Sequence, residues 1–114
     1  MDDVPFEVLA EESANELIMR FCMRRVEQRY FAGAPSVTDL RVVDMRDPAR
    51  MKDGVIEISS TAARWPKMRQ VLILHELIHN ALFHRFGDPD HEEGERFQAE
   101  VKRLWDAGAY KNLL

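Results

Sequence analysis

The sequence predicts an α+β fold, in the order helix, strand, strand, helix, helix. Three observations lead there. Apolar residues recur at a spacing of about 3.6 from Phe6 to about Phe31. Two β-rich stretches follow, Val37–Met45 and Gly54–Ser60, punctuated by Asp47-Pro48 and Asp53-Gly54. Two helical stretches then open near prolines, Pro66 and Pro89, and close near glycines, Gly87 and Gly108. A length of 114 residues favours a single domain spanning 1–114 with one modest core.

The first helix takes Phe6, Leu9, Ala10, Leu17, Ile18, Phe21, Cys22, Val26 and Tyr30 as its apolar positions, and Gly33 and Pro35 break it. In GVIEISS, Ile56 and Ile58 fall on one side, with Val55, Glu57 and Ser59 on the other, a short half-exposed strand. The two strands are expected to pair as a hairpin or small sheet. The helix from Pro66 to Phe86 is apolar nearly all round, so it is expected at the centre of the fold. In the last helix Asp88 is the expected N-cap and Pro89 the first position. Its stripe of Phe97, Val101, Leu104 and Trp105 is expected to pack on the preceding helix.

With 46% hydrophobic and 32% charged residues, the composition is that of a soluble globular protein. Cys22 is the only cysteine, which excludes an intrachain disulfide framework. The acidic N-terminus does not read as a signal peptide, and no apolar run approaches the ~20 residues of a membrane span. A cytoplasmic setting without membrane contact is the expectation. The net charge of −4 hides an asymmetry. Residues 20–70 carry eleven Lys/Arg against six acids, while the flanking segments are acidic. A basic middle containing Arg20, Arg24, Arg25 and Arg29 can contact DNA weakly; solvated helix faces and loops account for the same charges.

The central helix carries His75, Glu76 and His79 in the pattern H-E-x-x-H. Two histidines four apart on a helix lie ~40° apart around its axis, one turn removed, so their ring nitrogens can converge on one Zn²⁺. A zinc ion brings its water to a pKa of roughly 7, and Glu76 is placed to take a proton from that water. Three ionisable side chains interrupt an otherwise apolar helix, and burying them without partners costs several kcal/mol. A metal accounts for them; so does a core histidine pair hydrogen-bonded to backbone.

A catalytic zinc wants a third protein ligand, and His91 and Glu93 are the candidates. Each has another reading: an exposed His near a helix start, or an acidic first-turn residue in a capping box with Asp90. If the last helix starts at Pro89, Glu93 stands ~65° and His91 ~95° from the centre of its apolar stripe, with Gly94 at ~35°. That geometry favours Glu93, with His91 as the alternate.

LILHELIHNALF, followed after a short loop by EGERF, resembles the SprT-like zinc metalloproteases. Those proteins carry H-E-x-x-H and then a third His in an H-G-x-x-F/W motif. In that register Gly94 and Phe97 match the Gly and the aromatic, and Glu93 stands where the family has His. The resemblance covers roughly residues 54–105. It implies a minimal zincin-like domain in which His75, His79 and Glu93 bind zinc, as in the His-His-Glu set of gluzincins, and Glu76 is catalytic. The implied activity is peptide-bond hydrolysis on a protein or peptide substrate. Some members act on proteins crosslinked to DNA, but this chain has neither their cysteine-rich zinc ribbon nor a basic arm.

An extended peptide is expected to add to the strand Gly54–Ser60. Tyr30, Tyr110, His84 and Arg96 are candidates to stabilise an oxyanion, by residue type alone. The rival readings are a non-catalytic zinc-stabilised binding module, with DNA as its partner through the basic segment, and a plain helical domain without metal.

Overall fold

A computed structural model describes residues 6–87, 94–111 and 113, with side chains from residue 15 onward. It consists of α1 (Phe6–Tyr30), β1 (Asp39–Val43), β2 (Ala49–Lys52), β3 (Val55–Ser59), a 3₁₀ turn at Ala62–Arg64, α2 (Pro66–Phe86) and α3 (Glu95–Asp106). The α+β class stands, with three helices and one three-stranded mixed sheet. Among the described residues no helix is long and apolar enough to cross a membrane.

The sheet differs from the expected hairpin. Its order is β1-β3-β2, and the two strands read from sequence pair in parallel, Leu40 beside Ile56 and Val42 beside Ile58. The hairpin is instead β2–β3, closed by Asp53 (φ 53°) and Gly54 (φ 79°) between the paired Lys52 and Val55. Two consecutive positive φ values are what a two-residue turn between twisted strands demands, and Asp-Gly supplies them. β3 is therefore the central strand, flanked on both sides, and a peptide cannot add to it. The sheet's two edges are β1 and β2.

Side chains of α1 close the β1 edge. Arg20 Nε donates to Leu40 O at 3.1 Å, and Arg24 donates to Val37 O at 2.9 Å and Thr38 O at 3.2 Å. In return Glu16 accepts from the Val42 N–H at 3.1 Å and Glu27 from the Val37 N–H at 2.8 Å. Arg20 also pairs with Glu16 and Asp39, and Arg24 with Glu27. The Leu40 N–H bonded to Asp39, opposed by burial and helped by Arg20, holds the Asp39 carboxyl below its ordinary range. Of the arginines proposed for DNA contact, Arg20 and Arg24 are thus committed to the sheet edge. Glu27 is buried, and replacing it with Ala leaves the Val37 N–H without its acceptor and takes the carboxylate from Arg24, which keeps only its two backbone carbonyls. We expect Glu27→Ala to lower stability by about 2–3 kcal/mol, measured by urea unfolding.

The core lies between the sheet and the helices, with Met19 and Met23 of α1, Leu40, Ile56 and Ile58 of the sheet, Ile73, Leu77 and Ile78 of α2, and Phe97 and Leu104 of α3. This corrects the face of α1 in part. Its buried positions are Met19, Met23 and Glu27, and Val26 and Tyr30 of the predicted stripe pack against the core, whereas Leu17, Ile18 and Phe21 are exposed. The α2 boundaries agree with the sequence, with Pro66 in the first turn and Gly87 left-handed at φ 76°. Only the middle of α2 is buried, because Phe83 and Phe86 at its end face solvent. α3 starts later than expected, at Glu95, after Gly94 in extended conformation. Its buried residues are Phe97, Glu100 and Leu104, and Trp105 of the predicted stripe is exposed. The expected N-cap and first position, Asp88 and Pro89, lie outside the described residues.

Candidate metal and catalytic site

One turn of α2 carries His75, Glu76 and His79. The helix holds these positions because its neighbours are anchored in the core: Leu74, Leu77 and Ile78 are each at most 2% exposed. His75 Nε2 and His79 Nε2 stand 3.2 Å apart, with ring centroids 4.9 Å apart and ring planes at 70°. The two nitrogens thus converge on one point. Two nitrogens bound tetrahedrally to zinc at ~2.05 Å would stand ~3.3 Å apart. The same separation also suits one ring donating an N–H to the other.

Phe97 of α3 packs on both rings, its centroid 4.8 Å from that of His75 and 4.9 Å from that of His79. It is buried and keeps the first turn of α3 against the histidine pair. Asn80, also buried, donates Nδ2 to Pro35 O at 2.8 Å, which ties α2 to the loop after α1. This anchor was missed in the sequence, although a fourth polar residue within the apolar helix was its signal.

A cleft of about 760 Å³ opens between α2 and the β2–β3 hairpin. Glu76, His79, Phe83 and His84 line one wall, and Ala49, Met51 and Gly54 the other. Glu76 is buried, at 6% exposure, yet it borders this cleft. β2, the sheet edge left open by α1, runs along the rim.

The remaining predicted residues distribute unevenly. Of the oxyanion candidates, His84 lines the cleft. Tyr110 packs on Trp105 with centroids 5.9 Å apart, and burial raises its phenol above the ordinary value. Tyr30 lies under Arg29, and Arg96 sits 3.8 Å over the Phe86 ring. His91 and Glu93 fall outside the described residues, and among the described residues no three His, Cys, Asp or Glu side chains form a metal-holding group. Because Gly94 is extended and α3 starts at Glu95, the helical angles that ranked Glu93 above His91 do not apply.

The fold and site together define an α+β domain with a converging histidine pair, and with Glu76 and His79 at the wall of a cleft. Comparisons with protein-family models, curated proteins and solved structures find no match.

Proposed function

We propose that the chain is a small zinc-dependent peptidase of zincin-like, SprT-like type, with water as the nucleophile. The observation that carries this reading is the 3.2 Å approach of the two Nε2 atoms, with Glu76 between them in sequence and bordering the cleft. Zinc, when bound, supplies an acidified water and polarises the scissile carbonyl. His75 and His79 present the two nitrogen ligands, and Phe97 fixes their ring orientations. Glu76 accepts the proton of the attacking water and passes it to the leaving amine. The third ligand comes from the residues just ahead of Gly94, as Glu93 or, alternately, His91. Phe97 keeps the start of α3 beside the rings, which favours the nearer residue, Glu93.

The substrate in this reading is an extended peptide paired with the open edge of β2, laid across the cleft toward Glu76. Ala49, Met51 and Phe83 give that cleft an apolar wall suited to a hydrophobic side chain. The non-catalytic zinc module with DNA as partner has less support, since Arg20 and Arg24 are occupied at the β1 edge. The reading is tested by metal analysis of the purified protein. One zinc per chain is expected, lost in His75→Ala and removed by a chelator together with a fall in Tm. Wild-type protein without stoichiometric metal at saturating zinc overturns it.

A further inference from the structure

Asn80 is only 7% exposed, yet it lines the cleft together with Glu76 and His79. Its Nδ2 donates to Pro35 O at 2.8 Å. A main-chain carbonyl can only accept, so this bond fixes which half of the amide faces the loop after α1. The carbonyl half, Oδ1, is left over. Among the described residues Oδ1 accepts no hydrogen bond, and no buried polar side-chain atom there lacks a partner. Oδ1 is therefore open to solvent, and the open space that Asn80 borders is the cleft.

Glu76, Asn80 and His84 follow one another at four-residue intervals on α2, and all three line the cleft. Positions so spaced stack along one helix face, ~6 Å apart. The wall opposite is the β2–β3 hairpin, with the open edge of β2 at the rim. A peptide extended along β2 turns the N–H and C=O of alternate residues toward that edge. The residues between them turn theirs the other way, toward α2. A peptide N–H brought against α2 gives up water and needs an acceptor there in its place. Oδ1 is such an acceptor, neutral and held in orientation by the bond to Pro35.

From this arrangement we infer that Asn80 is a substrate-binding residue of the cleft, whose Oδ1 accepts one main-chain N–H of the bound peptide from the side opposite β2. Asn80 stands one turn from Glu76, ~6 Å along the axis, and an extended peptide advances ~3.3 Å per residue, so that N–H belongs to a residue about two positions from the bond that Glu76 serves. The assignment rests on the peptidase reading for the presence of a peptide in the cleft.

Peptide binding to the zinc-loaded Glu76→Gln protein tests it without hydrolysis. The probe is a fluorescein-labelled decapeptide of Ser and Ala with one central Phe for the apolar wall, read by fluorescence anisotropy. Each of its amides in turn is replaced by an ester, which removes a single N–H. Pairing with β2 alone makes every second ester weaken binding. With Asn80 engaged, one ester between those positions is expected to weaken it as well, by about tenfold. In the Glu76→Gln/Asn80→Ala protein that one effect is expected to vanish while the alternating effects persist. A smaller folded fraction lowers the binding of all the peptides alike and leaves their ratios unchanged. Only the alternating effects in the Glu76→Gln protein, or an intervening effect of the same size in the double variant, overturns the role of Asn80 and leaves the peptidase reading standing. No binding of any of these peptides overturns both.

Discussion

Replacing Glu76 with Gln is expected to lower kcat for peptide hydrolysis by about 10²–10⁴-fold while leaving zinc content unchanged. Gln has the shape of Glu and can still fill the buried position beside the cleft, but it cannot take a proton from water. His75 and His79 are not altered, and Phe97 still packs on both rings, so the metal ligands keep their orientation. KM should move little, because the lost interaction belongs to the transition state rather than to substrate binding. Progress curves on an unstructured peptide, with metal content measured on the same samples, separate the two effects. Equal rates for wild type and Glu76→Gln would remove Glu76 from the chemistry and leave the histidines as a structural pair.

What the sequence conveyed follows from where local physics decides the outcome. The bounds of α2 were legible because Pro66 and Gly87 act through their own backbone torsions. The Asp53-Gly54 turn was legible for the same reason, though it closes a different strand pair. β2 was not legible: ARMK is short, half polar and paired on one side only, so no apolar alternation marks it. The parallel pairing of β1 with β3 is likewise non-local, and no residue in either strand encodes it alone. The face of α1 misled because the larger apolar stripe, containing Leu17, Ile18 and Phe21, is the exposed one. Burial went to Met19, Met23 and the Glu27 carboxylate, whose partner at the Val37 N–H becomes apparent only once the segment leading into β1 is in place. In the candidate site, helical periodicity alone brings His75 and His79 together. The packing of Phe97 on both rings needs the whole path from α2 to α3, although the residue was already in the EGERF motif.

The largest expected effect on metal affinity belongs to the third ligand, and a pair of substitutions assigns it. Glu93→Gln is expected to weaken zinc binding by more than about a hundredfold, and His91→Ala by little. Residues that merely orient a ligand cost 10–100-fold when removed, so loss of a direct ligand should exceed that range. Gln keeps the length and a carbonyl oxygen but removes the negative charge that a carboxylate brings to a dication, which isolates the electrostatic part of the bond. Chain connectivity points the same way: Phe97 holds the start of α3 on the histidine rings, and Glu93 directly precedes Gly94, the N-cap of that helix. His91 lies two residues further back, so its nitrogen would have to return across a longer span of chain. Competition with a chelator of known affinity measures both variants on one scale. A sharp loss in His91→Ala with Glu93→Gln near wild type transfers the third position to His91, giving an all-histidine set and breaking the match to the Gly94 and Phe97 register. Little change in both variants would mean that neither residue holds the ion, and the His-His-Glu centre would fall.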